Sequence, residues 1–384
     1  MIRENKIVKL IFSVVLCACF LQAPAKPGDN DDTKLTKTIE RDFSMPKNGY
    51  LELINKYGQV VINTWSKDSV KVKVKITAYG KDYSDAEKML ERVDIDFRST
   101  SPYLTIETML DRKSGFFKEL WNNISDYSKT LLSKNKIEID YEIFMPETMA
   151  LDIENKFGDI YMHEVSGKCN INLMHGNLRA NKFNASSNIE VGYGDVRIKQ
   201  LTEGLLVLKG VEAEIAKLGN VEVKSSSSEV NIKEAGKVTL DSRGDQRFNI
   251  DKVSILEGKV TFSRIELQEM EKTLDLDMNY GELRVKSIPF SFNKINLSGK
   301  YTDITLDFMP NSYLEVDISA KEESLFLPRE NVKLDKAYTD EKQKYVRVKG
   351  RIGNKTNYPG NVYINSPGGD VTINLSGLQH SVNK

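Results

Sequence analysis

The chain has 384 residues, 29% of them charged, and its 55 Lys plus Arg balance 55 Asp plus Glu. That length buries one large core or two ordinary ones, and zero formal net charge leaves no overall field drawing the molecule to nucleic acid. Cysteine is scarce, with Cys17 and Cys19 near the N-terminus and Cys169 far from both, which excludes a disulfide-stapled fold or a Cys-rich metal site.

Arg3, Lys6 and Lys9 precede the apolar run "LIFSVVLCACFL", and Ala23-Pro24-Ala25 supplies a small-x-small cleavage pattern. Residues 1–25 are therefore expected to be a signal peptide, since a membrane span needs about 20 apolar residues. Leu16-Cys17-Ala18-Cys19 also resembles a lipobox, which makes lipidation at Cys19 the alternative route of export. Residues 26–35, rich in Pro, Gly and acid, are expected to be a solvated linker. Either cleavage leaves Cys169 alone, expected to pack as a small hydrophobe.

Residues 36–144 form a β-rich region. "VKVKVKI" places a β-branched residue at every second position with Lys between, the pattern of a half-buried strand. "YSDAEKMLERV" predicts a short helix, with Ser84 or Asp85 as its cap. Residues 114–134 predict a longer amphipathic helix through Phe116, Phe117, Leu120, Trp121, Ile124, Tyr127 and Leu131. Its mixed polar face favours covering a sheet over lying on a membrane.

From 145 to 308 the chain repeats. "MPETMALDIENKFGDIYM", from Met145, rewrites "MPKNGYLELINKYGQVVI", from Met45, and Gly158, Gly176 and Gly194 follow at steps of 18. Looser members come near Val211 and Ser228, then at Gly244, Ser263, Gly281 and Thr302. A second short run lies between each pair. The unit is then two strands and two turns, which predicts an all-β solenoid, or β-helix, with coils of about 18 residues. Tyr57, Phe157, His175, Tyr193 and Tyr280 would share one corner and stack, with the following Gly supplying the corner conformation. The rival architecture is an antiparallel sandwich, which has no reason to repeat residue identity at every second strand. Residues 309–384 add strands that include "MPNSYLEVDISAKE" and "GGDVTINL", the latter expected to complete or cap the stack.

The paired Met-Pro phrases ending in Asn-Lys-aromatic-Gly, the "VKVKVKI" strand, the "DAEKML" helix and the Gly-Asp coils together resemble the bacterial putative-adhesin family. The resemblance runs from about Thr36 to Leu375. It implies an exported all-β protein related to auto-transporter adhesin heads, with no catalytic residues to carry over; the 114–134 helix would be an insertion.

His163, His175 and His380 form no short-spaced pair, and neither hydrolase nor phosphate-loop motifs occur, so no cofactor is expected. Asp159, Asn177, Asp195, Glu212, Glu229, Asp245, Glu282 and Asp303 recur once per coil. Such a column needs interleaved cationic side chains, splaying into water, or a bound cation; charge pairing is the default and a Ca²⁺ ladder through Asp159, Asp195, Asp245 and Asp303 the alternative. Two residues further on, Arg179, Arg197 and Arg284, with Lys199 and Lys286, would form a discontinuous basic binding face, interrupted at Glu214 and Asn231, against the simpler reading of a mixed solvated face. The expected role is a non-enzymatic envelope scaffold, periplasmic or at the cell surface, presenting a solenoid face to a glycan or protein. Membrane contact would come only through an N-terminal lipid. A carbohydrate-active β-helix enzyme and a periplasmic sensor component using the 114–134 helix are the alternatives.

Overall fold

The computed structural model describes residues 33–110, 137–353 and 360–375. The expected signal peptide, Cys19, the helix expected over 114–134 and His380 lie outside the described residues. The described chain winds into a β-solenoid. Strands alternate buried and exposed residues, as in Cys169–Met174 and Leu178–Phe183, and each stacks parallel on its equivalent one coil away. Two walls result, and their inward residues merge into one continuous apolar core. Cys169 is part of it, and burial pushes its thiol pKa up.

The phrase written twice is one coil laid directly on another. Tyr50–Lys56 pairs in parallel with Ala150–Lys156, so that Leu51 meets Leu151 and Asn55 meets Asn155. Asn155, fully buried, donates to the carbonyls of Gly158 (2.8 Å) and Gly58 (3.1 Å). Asn55 donates to Asn155 Oδ1 at 3.0 Å and to the Ile139 carbonyl at 3.2 Å. The Asn of the phrase therefore satisfies corner carbonyls that have turned away from the strand ladder.

The corner itself corrects the expectation about glycine. The aromatic residue takes the left-handed conformation: Tyr57, Phe157, His175 and Tyr193 have φ between 58° and 63°. The glycine after it is required by close approach. A Cβ on Gly158 would lie 1.9 Å from the Gly58 carbonyl oxygen, and one on Gly194 would lie 2.0 Å from that of Gly176. Later corners put Gly210, Ser227 and Gly244 in the left-handed slot, then Phe262, Tyr280 and Tyr301. From Tyr193 to Gly244 each slot comes one residue sooner than in the neighbouring coils, which is why the middle members look loose in sequence. From Asp195 onward the opposite corner is gentle enough for the strand to continue through it. Segments such as Asp195–Lys209 and Glu212–Ser226 therefore run 15 residues, in place of the two separate short strands expected for each coil.

Both ends of the stack depart from chain order. Tyr103–Leu110 and Ile137–Pro146 pair with Tyr50–Lys56 and Val60–Trp65 on the side away from the 150–165 coil. The first coil is thus held between two that come later in sequence. At the other end Gly360–Ser366 lies between Lys294–Phe308 and Leu314–Lys321, so the last coil is intercalated as well. Antiparallel strands close the stack: Thr33–Ser44 on Ser69–Gly80 at one end, Val332–Asp340 on Tyr345–Ile352 at the other. Both outermost strands carry several charged residues, which discourages edge-to-edge association. The short helix spans Tyr83–Glu91 and packs on the Ser69–Gly80 strand; its cap is Asp82, upstream of Ser84 and Asp85, accepting from Asp85 N at 2.9 Å. Among the described residues no helix is long and apolar enough to cross a membrane.

Candidate functional site

Parallel stacking converts sequence spacing into vertical columns, about 4.8 Å per step. Four columns of outward side chains run up the wall next to the aromatic corner. The first contains Asp195, Glu212, Glu229 and Arg247 in register, and later Glu282 and Asp303. Arg247 meets Glu229 at 3.0 Å and Arg264 meets Glu282 at 2.8 Å. Where no cation is adjacent, Asp159 Oδ1 accepts the Asn177 backbone N–H and Asn177 Oδ1 accepts that of Asp195, both at 2.8 Å. Asp303 Oδ1 accepts from Asp370 N at 2.9 Å. Asp159, Asp195 and Asp303 therefore do share one column, with the Asp159 and Asp303 side chains turned to the coil beside them.

Asp245 does not belong to that column. Gly244 fills the left-handed slot, so Asp245 takes the place that Gly158 or Gly194 has elsewhere and points inward, 2% exposed. Its Oδ1 accepts from Ser228 N at 2.9 Å and its Oδ2 from Ser242 Oγ at 2.6 Å. Ser263 Oγ in turn accepts from Asp245 N at 3.0 Å. Burial raises the Asp245 pKa, opposed by the hydrogen bonds from Ser242 and Ser228. The carboxylate serves a buried corner ladder, and aligning Gly244 with the earlier glycines displaced it by one residue. Among the described residues no group of three or more His, Cys, Asp or Glu is placed to hold a metal ion.

The second column reads Tyr161, Arg179, Arg197, Glu214, Asn231, Asn249 and Glu266, with Arg284 one coil beyond. The third, two residues on, holds His163, Asn181, Lys199, Ala216, Lys233, Asp251, Gln268 and Lys286. The structure thus brings Arg179, Arg197 and Lys199 together. Arg284 and Lys286 stand in the same two columns, with four coils between Arg284 and Arg197. Arg197 is paired with Glu214 at 3.1 Å, and Lys286 with Glu266. Arg179 lies 5.8 Å over the Tyr161 ring. The fourth column pairs its charges on either side of Gln200, with Lys182–Glu164 at 3.2 Å, Lys217–Glu234 at 2.9 Å and Lys252–Glu269 at 3.4 Å.

Between the first and fourth columns the wall forms an open groove of about 850 Å³, floored by the second and third columns from Tyr161 to Gln268. Sequence reasoning found its arginines and Lys199, met Asn231 only as an interruption of the basic face, and missed Tyr161, Lys233, Asn181 and Asn249. Tyr161 and Asn181 sit one coil from Arg179 and Lys199, Lys233 two coils from Lys199, and Asn249 one coil from Asn231, so continuing the columns through the shorter coils would have found them. The corner carries a second exposed feature. Tyr57, Phe157, His175 and Tyr193 stack at centroid spacings of 5.0–5.5 Å, and Phe262, Tyr280 and Tyr301 at 5.0–5.1 Å, with Gly210, Ser227 and Gly244 between the two ladders.

No protein-family model matches the chain, and no curated protein matches it. Solved structures do. A protein from Parabacteroides distasonis described as a "putative adhesin" is 13% identical, covering 72% of this chain and 98% of its own, at a TM-score of 0.31. A "putative cell adhesion protein" from Clostridium sporogenes is 11% identical, covering 90% of this chain and 100% of its own, at a TM-score of 0.20. A "putative lipid binding protein", also from Parabacteroides distasonis, is 11% identical over 70% of this chain and 93% of its own, at a TM-score of 0.29.

Proposed function

We propose that this chain is a non-enzymatic, exported scaffold that presents one solenoid wall to a glycan or protein of the cell envelope. The observation that carries this reading is the groove, in which side chains recur at a fixed vertical spacing on a wall that every coil holds rigid. Such a surface suits an extended polymer engaged by many weak contacts at once, since contacts on a stiff frame add without an ordering cost for each. The groove's two carboxylates support a binding role over hydrolysis. Glu214 is engaged by Arg197, and Asp251 lies two coils away. The resemblance read from the Met-Pro phrases agrees with it. Export rests on residues 1–25, with Cys19 lipidation as its membrane-tethered form.

The test uses a chain beginning at Thr33, bound to whole-envelope material and to a glycan array, beside Ala216→Trp, which fills the groove midway. Binding is expected for the parent and strongly reduced for the variant. Equal binding by both would overturn the assignment to this wall. Cell fractionation of the full chain with labelled fatty acid tests the location and Cys19 together.

A further inference from the structure

We infer that the groove selects an anionic polysaccharide, an inference that rests on the scaffold reading above and names its ligand class. The argument begins with which charges the wall leaves uncompensated. The fourth column neutralises its charges with coil-to-coil ion pairs, and the first does so at Arg247–Glu229 and Arg264–Glu282, while Asp159 and Asp303 accept backbone N–H groups and Asp195 and Glu212 stand outside any ion pair among the described residues. Among the described residues, Arg197 is the one groove cation in an ion pair. Arg179 is engaged by the Tyr161 ring, and Lys199 and Lys233 have no carboxylate within ion-pair distance among the described residues. These three exposed cations stand on the first, second and fourth of four successive coils, so Lys199 and Lys233 are about 10 Å apart along the axis. A disaccharide unit of an extended glycan spans a comparable length.

The residues between the cations identify the rest of the ligand. Asn181 and Asn231 present amide groups, the complement of sugar hydroxyls, while Asn249 Nδ2 donates to Asn231 Oδ1 at 2.9 Å and its own Oδ1 is buried; the Tyr161 ring offers an apolar face at one end. A nucleic acid, with a phosphate at every nucleotide, would call for a denser cationic track than these cations, interrupted by Glu214 and Asp251, supply. An acidic peptide docking as a strand would require a free sheet edge, whereas the strands of this wall are paired on both sides. A hydroxyl-rich polymer with a negative charge every second residue fits both the cations and the amides.

The test measures binding of the chain beginning at Thr33 to heparin, as a sulfated glycan, polygalacturonate, as a carboxylated one, and dextran, as a neutral one. Each is compared at low and high salt. Formal net charge is zero, so overall charge does not account for retention on a polyanion. Salt-sensitive binding to one or both polyanions is expected, and the arm that binds distinguishes sulfate from carboxylate. Lys199→Gln with Lys233→Gln should weaken it roughly fivefold or more. Lys259→Gln, on the opposite wall, should leave it unchanged. Dextran bound as well as the polyanions, or equal loss with Lys259→Gln, would overturn the anionic assignment and leave the scaffold reading standing. Displacement by polyglutamate or DNA as readily as by free glycan would overturn it too. Failure of every glycan, with envelope capture still sensitive to Ala216→Trp, would overturn only the ligand class; failure of that capture as well would overturn both.

Discussion

At the scale of single residues the corners separate two roles that sequence reading merges. Gly158 is there because the Gly58 carbonyl would sit 1.9 Å from any Cβ, whereas Gly244 has φ +64° and nothing within 4 Å of a Cβ. Gly158→Ala must move backbone in two coils and is expected to cost roughly 3 kcal/mol or more in denaturant unfolding. Gly244→Ala bears only the left-handed penalty, about 1–2 kcal/mol. Comparable losses in the two would refute the division of roles. Asp245 gives the pH counterpart. Its folded pKa is raised, so its contribution is greatest below the unfolded value, near 3.8, and is lost as pH rises through the folded value. At neutral pH the charged form opposes folding. Asp245→Asn keeps the acceptor for Ser228 N and a partner for Ser242 Oγ, so it should be more stable than the parent at pH 7. That advantage should shrink as pH falls toward 4, as read from melting temperature against pH; an advantage that grows on acidification would contradict the sign. Glycine spacing was legible in the sequence, but its cause was not, because a left-handed residue and a close-approach residue sit side by side in these corners.

The corner ladders are the element whose energetics are simplest to isolate. Tyr280 stacks on Phe262 at 5.1 Å and on Tyr301 at 5.0 Å, while Tyr301 ends its ladder and has one ring neighbour among the described residues. At about 0.5–1.5 kcal/mol per aromatic contact, Tyr280→Ala should cost about 1–3 kcal/mol and Tyr301→Ala about half as much. Both substitutions bear the same left-handed backbone penalty, so the difference between the two variants reports stacking; equal losses in thermal melts would assign the effect to the corner backbone. Five ladder members were readable because each shares a recognisable phrase with its neighbours. Phe262 and Tyr301 were not, since Ser263 and Thr302 replace the glycine that marks the others. A related replacement explains Asp245. Ser228, Asp245 and Ser263 each fill the close-packed slot with a side chain that accepts a backbone N–H from the preceding coil, as Ser228 Oγ does from Val211 N at 3.2 Å. Polar residues in those slots are structural acceptors, and identity alone cannot distinguish them from an outward acidic column.

Across the whole molecule, vertical stacking was legible wherever residue identity repeats, and the ends were not, because pairing there joins strands far apart in sequence. The phrase at Met45 announces that it stacks on the phrase at Met145 but says nothing of the strands beneath it. Residues 103–110 and 137–146 take that place, and the final coil is likewise trapped below Leu314–Lys321. Locked ends and a uniform interior make different demands on length, and this can be tested by deletion. Deleting 212–228 joins Val211 to Glu229 and brings Glu229 over Asp195, restoring the register that Glu212 had held. Every inward residue above the cut stays inward, so a shortened chain should fold cooperatively, less stable by the burial of one coil. Deleting 213–228 instead leaves Glu212 in place ahead of Glu229 and shifts each later residue by one. Val230 and Ile232 then turn outward while Asn231 turns in, since successive side chains alternate faces. That chain can recover only by a bulge at the corner, and it should be aggregated or unfolded by circular dichroism and size-exclusion chromatography. If both deletions folded equally well, the columns would be too loosely registered to present cations and amides at fixed spacing, and the groove would lose the rigidity on which its proposed binding depends.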